Sequence, residues 1–252
     1  MMMDFSLGYD LGAFYDYNEK EKIIADLSSN SHFLICGMSG SGKSFALSQI
    51  FSRLLKADAN AEFYFCDYKQ DDSFSHLRGQ PRYYAYKDVA TALDIVFNRL
   101  QARMSGEDKT RHTITLVFDE YVAYILQLSR DKKKADIEMG KIGDILLQGR
   151  SMNINIIISC QRADAKVFDN GGIRQNFGVI MVLGTFQKET YDMLMKGHLD
   201  KVENRMRRLR KRNFKIGEGS VLLDMGSTLK FIKIPMVSDI REMKEICKLA
   251  LM

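Results

Sequence analysis

A glycine-rich segment near the amino terminus carries residue types that bind phosphate. Gly37, Gly42, Lys43 and Ser44 fit the pattern G-x-x-x-x-G-K-[ST], in which backbone N–H groups turn toward phosphate oxygens. Such a lysine neutralises the β- and γ-phosphates of a nucleotide, and such a serine hydroxyl can hold Mg²⁺. The sequence therefore predicts an ATP site in which Ser44 holds Mg²⁺. The residues expected to contact ATP are Gly37, Met38, Ser39, Gly40, Ser41, Gly42, Lys43, Ser44 and Phe45.

The flanks of this segment predict the elements that position it. An apolar run, Phe33 to Cys36, comes directly before it, and the helical run FALSQIFSRLL follows Ser44. A strand, a loop and a helix in that order bring the positive end of the helix to the phosphates. The alternative is a Gly/Ser-rich linker that contains Lys-Ser by chance. The apolar strand and the helical run on either side argue against a linker.

Two acids at the end of a later apolar run predict the second half of the site. ITLVFDEY, Ile114 to Tyr121, delivers Asp119 and Glu120 about seventy-five residues after the phosphate loop. In a doubly wound sheet, ligands bind beyond the carboxyl ends of the strands, where both acids would lie. We expect Asp119 to hold Mg²⁺ and Glu120 to deprotonate the attacking water. The alternative is a surface turn with two solvated acids, since the pair alone is a weak signal.

Other segments complete an α/β pattern. A strand is predicted within Ala61 to Lys69, a helix from Asp88, a hairpin across Gly226 and Ser227, and a last helix from Asp239. Two further apolar strands are predicted in NINIIISCQR and in FGVIMVLG. The first of them ends at Gln161, whose side chain is a candidate for sensing the γ-phosphate or the attacking water.

Composition limits the broad class of the protein. At 252 residues with two prolines, the chain suits one large α/β domain, predicted at 31–252 after a lead-in at 1–30 that could form a small hairpin. No apolar run approaches the ~18 residues of a membrane span, and the first residues do not resemble a signal peptide. We therefore expect a cytoplasmic protein. The four separated cysteines predict buried thiols in a reducing compartment and no metal site.

One segment is strongly basic although the net charge of +5 is modest. KVENRMRRLRKRNFK contains eight Lys or Arg among fifteen residues. It could be an exposed amphipathic helix with Val202, Met206 and Leu209 as its buried stripe, or a patch that contacts phosphates. Both interpretations stay open. Lys132 to Lys134 are expected on a solvated face.

Taken in order, these pieces resemble the motor domain of the FtsK/SpoIIIE-type DNA translocases, a group of HerA-like P-loop ATPases that includes conjugative coupling proteins. SHFLICGMSGSGKS is similar to the family's phosphate loop, and LVFDEY to its acidic strand end. GRSMNINIIISCQR is similar to its Gly-Arg-Ser and Gln-Arg signature, and IGEGSVLLDMG to its late Gly-x-Gly turn. The resemblance spans nearly the whole chain. It implies a RecA/ASCE-like P-loop fold with a mostly parallel central sheet and helices on both faces.

The resemblance also implies an assembly and a partner. Members form homo-hexameric rings with ATP between subunits, double-stranded DNA in the centre and an arginine supplied in trans. Arg150, in the matching Gly-Arg-Ser, is the favoured position, with Arg174 and Arg103 as alternatives. The alanine after Gln161-Arg162 departs from the family's frequent proline, and the segment from Arg205 to Arg212 is more basic than the resemblance predicts.

The expected function is an ATP-driven DNA translocase of a plasmid, integrative element or phage. DNA contact should be to backbone phosphates, without sequence specificity. A membrane channel or a relaxase would be its partner. One alternative is an ATPase of a protein-secretion or assembly system. Another is a non-motor regulator that binds ATP as a switch, which the intact Glu120 argues against.

Overall fold

Apolar segments of four to seven residues alternate with helices along most of the chain, and this alternation builds a wide sheet. A computed structural model describes residues 4–26, 30–168, 174–185, 187–209 and 213–252. The strands are β1 (Asp4–Asp10), β2 (Lys22–Asp26), β3 (Phe33–Cys36), β4 (Glu62–Asp67), β5 (Tyr83–Ala85), β6 (Ile114–Asp119), β7 (Ile154–Cys160), β8 (Val179–Leu183), β9 (Glu218–Leu223) and β10 (Thr228–Lys233).

The helices lie between these strands. They are α1 (Leu11–Asp16), α2 (Lys43–Ala57), α3 (Val89–Ser105), α4 (Tyr121–Leu128), α5 (Lys132–Gln148), α6 (Ala165–Phe168), α7 (Lys188–Leu194), α8 (Leu199–Arg208) and α9 (Ile240–Leu249). None of the helices in the described part of the chain combines the length and the apolar composition of a membrane span.

The ten strands form one sheet in the order β2-β1-β10-β9-β8-β3-β7-β6-β4-β5. The six strands from β8 to β5 in this order are parallel, whereas β9, β10, β1 and β2 pair antiparallel. Strands such as β3 and β6 are buried along their whole length because they are apolar on both faces. The predicted mostly parallel central sheet is confirmed.

Helices cover both faces of the sheet. Successive residues of β3 point to opposite sides, so that Leu34 lies in one buried cluster and Ile35 in the other. The first cluster includes Val96 of α3, and the second includes Phe51 of α2. Each face of the central strands therefore has its own core, as expected for a doubly wound fold.

The chain termini widen the sheet. β1 and β2 form a hairpin, and Tyr9 of β1 pairs with Lys233 of β10. The hairpin predicted across Gly226 and Ser227 joins β9 to β10. Residues 4–26 thus share the sheet with the strands of the predicted domain, and the division at residue 30 stays a prediction. The four cysteines are free and buried, as the sequence indicated.

The sheet order fixes which strand ends can meet. β7 lies between β3 and β6, with Cys36 beside Cys160 and Phe118 beside Ile158. The carboxyl ends of these three strands therefore lie together at one edge of the sheet. The opposite edge is held by Arg103 of α3, whose guanidinium is buried and donates hydrogen bonds to the carbonyls of Met152 at 2.6 Å and His112 at 3.0 Å.

A buried histidine at that opposite edge makes stability depend on pH. His32, just before β3, accepts a hydrogen bond at Nδ1 from the Ile156 N–H at 3.2 Å. Burial, with a smaller contribution from the Arg150 charge, lowers the pKa of His32 from 6.5 to about 4. An unfolded chain takes up this proton near pH 6.5 and the folded chain does not, so stability falls as the pH drops below about 6.5.

We predict that protonation of His32 in the unfolded chain lowers the free energy of unfolding by about 2 kcal/mol as the pH falls from 7 to 5. Chemical denaturation at both pH values should show that His32→Gln, which cannot titrate, loses less stability over this interval than the unmodified chain does. Equal losses in the two proteins would contradict a buried neutral imidazole.

Candidate functional site

The loop between β3 and α2 has a backbone that only glycine tolerates at several positions. Gly40 and Gly42 have φ angles of +79° and +90°, in the left-handed region. A Cβ on Gly37 would lie 2.5 Å from Ser41 Oγ, and a Cβ on Gly42 would lie 2.9 Å from the backbone nitrogen of Gly217. The glycines are thus required by close approach as well as by conformation.

Neighbouring strand ends hold this loop in place. Ser41 N–H donates to the Met38 carbonyl at 3.0 Å, and the Ser41 carbonyl accepts from Gly217 N–H at 2.8 Å. Gly184, directly after β8, has a φ of +79°, and a Cβ there would lie 2.6 Å from Ser41 Cβ. The loop is therefore supported from the β8 and β9 side before any phosphate binds.

Lys43, the first residue of α2, lies in a buried cluster with the two acids after β6. Its Nζ is 2.8 Å from Glu120 Oε1 and 3.2 Å from Asp119 Oδ1. All three side chains are at most 7% exposed. Residues that are 76 positions apart in sequence therefore meet at one point of the sheet edge.

The electrostatics of this cluster favour a charged lysine. Burial disfavours the ammonium form, but the carboxylates of Asp119 and Glu120 outweigh burial and raise the pKa of Lys43. A buried cation is stable only when it is paired in this way. The ammonium group therefore stays charged beside the loop that would hold phosphate.

Two features fix the acids. The Ser159 hydroxyl of β7 donates a short hydrogen bond to Asp119 Oδ1, because β7 lies directly beside β6. Glu120 has φ 58° and ψ 38° and forms the N-cap of α4. A left-handed glutamate costs on the order of 1 kcal/mol, and such strain is concentrated at functional sites.

The residues present fit a magnesium nucleotide. The loop offers backbone N–H groups and the positive end of α2, a 15-residue helix. Ser44 and Asp119 supply a hydroxyl and a carboxylate, which are the oxygen donors that Mg²⁺ prefers. When bound, Mg²⁺ would neutralise charge on the phosphates.

Comparison with known proteins agrees with this geometry. Residues 10–105, which include the phosphate loop, match the model of the FtsK/SpoIIIE family. Over these residues the chain is similar to the FtsK/SpoIIIE family of P-loop ATPases. The resemblance carried by the sequence motifs is thereby confirmed. No curated protein matches the chain in sequence.

Solved structures share the fold of this chain. The pCW3 conjugation coupling protein TcpA, solved with ATPγS, is 23% identical with a TM-score of 0.68 over 90% of this chain and 67% of TcpA. Thermomonospora curvata EccC (ATPases 2 and 3), solved with a signal sequence peptide, is 16% identical with a TM-score of 0.66 over 94% of this chain and 41% of EccC.

A viral protein is also similar. The genome packaging NTPase B204 of Sulfolobus turreted icosahedral virus 2, solved with AMPPCP, is 14% identical with a TM-score of 0.52 over 82% of this chain and 99% of B204. At these identities the structures show a common fold. The chain spans less than half the length of EccC, so the activity of that larger protein is not carried over.

The other predicted site residues of the ATPase lie at two edges of the sheet. Gln161 directly follows β7 at the loop edge, where its carbonyl is 3.9 Å from Cys36 Sγ. Arg150 is exposed in the turn Gly149–Met152 before β7, at the opposite end of that seven-residue strand. The two ends of the strand are about 20 Å apart. Arg150 is therefore separated from Lys43 of its own chain.

The two alternative arginines differ in availability. Arg103 is buried and bonded within its own chain, as described above, whereas Arg174 is half-buried. The residues 171–173 of the matching segment lie outside the described part of the chain. Arg103 thus has a structural role at the amino-terminal ends of the strands.

Sequence reasoning missed three residues around the acids. Ser159 bonds Asp119, Lys69 lies 3.0 Å from Glu120, and Asp67 is the register partner of Asp119 on β4. A hydroxyl inside the apolar run NIIISC was the available signal for Ser159. Only the strand order could have placed Lys69 and Asp67.

We predict that Gly42→Ala weakens nucleotide binding at least about tenfold, because the new Cβ strains a left-handed residue and meets the Gly217 backbone. The control is Gly140→Ala in α5, where an added Cβ meets nothing within 4 Å. Titration of a fluorescent ATP analogue would measure both affinities. Unchanged affinity in Gly42→Ala would show that the loop conformation does not matter for binding.

Proposed function

We propose that this ATPase hydrolyses ATP to move double-stranded DNA for a plasmid, an integrative element or a phage. The observation that carries the hydrolytic part is the buried contact of Lys43 with Asp119 and Glu120 beside the phosphate loop. The FtsK/SpoIIIE match and the likeness to a conjugation coupling protein support the DNA part.

The residues take separate roles in this proposal. Lys43 neutralises the β- and γ-phosphates, and Ser44 with Asp119 holds Mg²⁺. Glu120 is the general base, because its carboxylate contacts Lys43 at 2.8 Å and lies beside the loop. Gln161 senses the γ-phosphate or the attacking water from the end of the strand that separates β3 from β6.

A homo-hexameric ring would complete the site. Arg150 is exposed at the sheet edge opposite the loop, which suits an arginine that acts on the ATP of the neighbouring subunit. A cavity of about 350 Å³ beside Arg150 is lined by polar residues such as Asn153 and by apolar residues such as Phe33. The same edge would face the next subunit, and DNA would pass through the centre of the ring.

The basic helix α8 supports contact with DNA phosphates. Its stripe of Val202 and Met206 is buried, and Leu209 is half-buried, as an amphipathic helix requires. Arg205 is held by Asp16 at 3.5 Å and lies over the Phe231 ring, whereas Lys201, Arg207 and Arg208 are exposed. Residues 210–212 of the basic segment lie outside the described part of the chain.

Three exposed cations on one short helix suit contacts to phosphates without reading of bases.

The proposed location is the cytoplasm. There the motor would work with a membrane channel or a relaxase.

A second candidate is a motor for polypeptides. The likeness to EccC in complex with a signal sequence peptide favours it, because its TM-score of 0.66 is close to that of the coupling protein. This candidate predicts that a peptide, and not DNA, stimulates ATP turnover.

We predict that Glu120→Gln binds ATP with normal affinity and turns it over at least about a hundredfold more slowly, because the amide cannot accept the proton of water. Steady-state ATPase assays with titration of a non-hydrolysable analogue separate the two effects. Glu242→Gln is the matched control, since Glu242 also pairs with a lysine at 2.9 Å but lies on an exposed surface. Unchanged turnover in Glu120→Gln would refute the base role.

We predict that linear duplex DNA raises the ATPase rate. Replacing Lys201, Arg207 and Arg208 by alanine should raise the DNA concentration that gives half-maximal stimulation. It should also make the slope of log DNA affinity against log salt concentration shallower by about 2 to 3. The control replaces the exposed Lys132, Lys133 and Lys134 at the start of α5 by alanine. A flat response to DNA at low salt would oppose translocation, and stimulation by a peptide alone would favour export.

A further inference from the structure

The carboxylate of Glu120 lies between two lysines. Oε1 is 2.8 Å from Lys43 Nζ, and Oε2 is 3.0 Å from Lys69 Nζ. The Glu120 side chain is 5% exposed, and the Lys69 side chain is 41% exposed. Each carboxylate oxygen therefore has its own cation, and only one of the two cations belongs to the phosphate loop.

The backbone around Lys69 is fixed. Lys69 follows β4, which pairs with β6 so that Asp67 lies beside Asp119. The Asp67 carboxylate accepts hydrogen bonds from Tyr83 Oη at 2.7 Å and from Asp71 N–H at 3.1 Å. Gln70 then turns the chain with a φ of 55°. These contacts hold the start of the Lys69 side chain at the end of β4.

The two lysines approach Glu120 from different strands. Lys43 comes from α2, which follows β3, and Lys69 comes from β4 on the other side of β6. Lys43 also pairs with Asp119 and lies at the loop that would hold phosphate. Among the described residues, Lys69 makes its only ion pair with Glu120. Lys43 is therefore shared between two carboxylates, whereas the ion pair of Lys69 is with Glu120.

We propose that Lys69 is a positioning residue for ATP hydrolysis. It holds Oε2 through the 3.0 Å ion pair, so that Oε1, on the side of Lys43 and the phosphate loop, is the proton acceptor. A general base must be correctly aimed, because a displacement of about 1 Å can cost up to about a hundredfold in rate. This inference rests on the proposed role of Glu120 as the base.

The test compares Lys69→Met and Lys69→Arg, each with Glu120 intact and in a Glu120→Gln background. The control is Lys56→Met, since Lys56 also pairs with one glutamate, Glu242, at 2.9 Å and is exposed. Measurements are kcat, KM, the thermal midpoint without nucleotide, and the affinity for a non-hydrolysable ATP analogue.

We expect Lys69→Met to lower kcat at least about tenfold, with KM and analogue affinity within about twofold of the unmodified chain. Lys69→Arg, which keeps the cation, should restore most of kcat. In the Glu120→Gln background Lys69→Met should change turnover by less than about twofold, because a residue that acts through Glu120 has nothing left to position. Lys56→Met should leave all four measurements unchanged.

Several results would overturn the proposal. If Lys69→Met keeps full or increased turnover while Glu120→Gln loses turnover, Lys69 does not assist the base. An equal loss in both backgrounds would show an action independent of Glu120, and a loss explained by weaker analogue binding would make Lys69 a nucleotide ligand. Full turnover of Glu120→Gln would instead refute the base role itself.

Discussion

The structure depends on burying a small group of opposite charges at one edge of the sheet. Removing an ion from water costs several kcal/mol unless partners compensate it, so Lys43, Asp119 and Glu120 are stable only together. Their side chains are nearly inaccessible, and each lies within 3.2 Å of an opposite charge. A hydrolytic site needs this arrangement because the side chains that stabilise each other can also interact with phosphate, metal and water when these bind.

The fold meets this constraint through its strand order. β7 separates β3 from β6 and places the Ser159 hydroxyl against Asp119, while the left-handed backbone of Glu120 lets the next residue begin α4. The opposite edge has a different task. There Arg103 ties loops together, and His32 stays neutral under the start of β3. These contacts hold together the strand ends opposite the Lys43 cluster.

The similar structures come from proteins with different functions. A coupling protein, a secretion ATPase and a viral packaging NTPase share this fold at 14 to 23% identity. What they have in common is the fold, and a fold by itself does not determine what a protein acts on. In our proposal the exposed cations of α8 contact the cargo, and they lie apart from the Lys43 cluster in sequence.

The sequence by itself determined the phosphate loop, the acidic end of β6 and the hairpin of β9 and β10, whereas the mostly parallel sheet was implied by the family resemblance. The first three follow from glycine conformation and local apolar pattern, which act within a few residues. The tertiary structure decided the partners: Ser159 on Asp119, Lys69 on Glu120, the burial of Arg103, and the place of β1 beside β10. Those contacts join positions far apart in the chain, and only the order and register of the strands determine which side chains become neighbours.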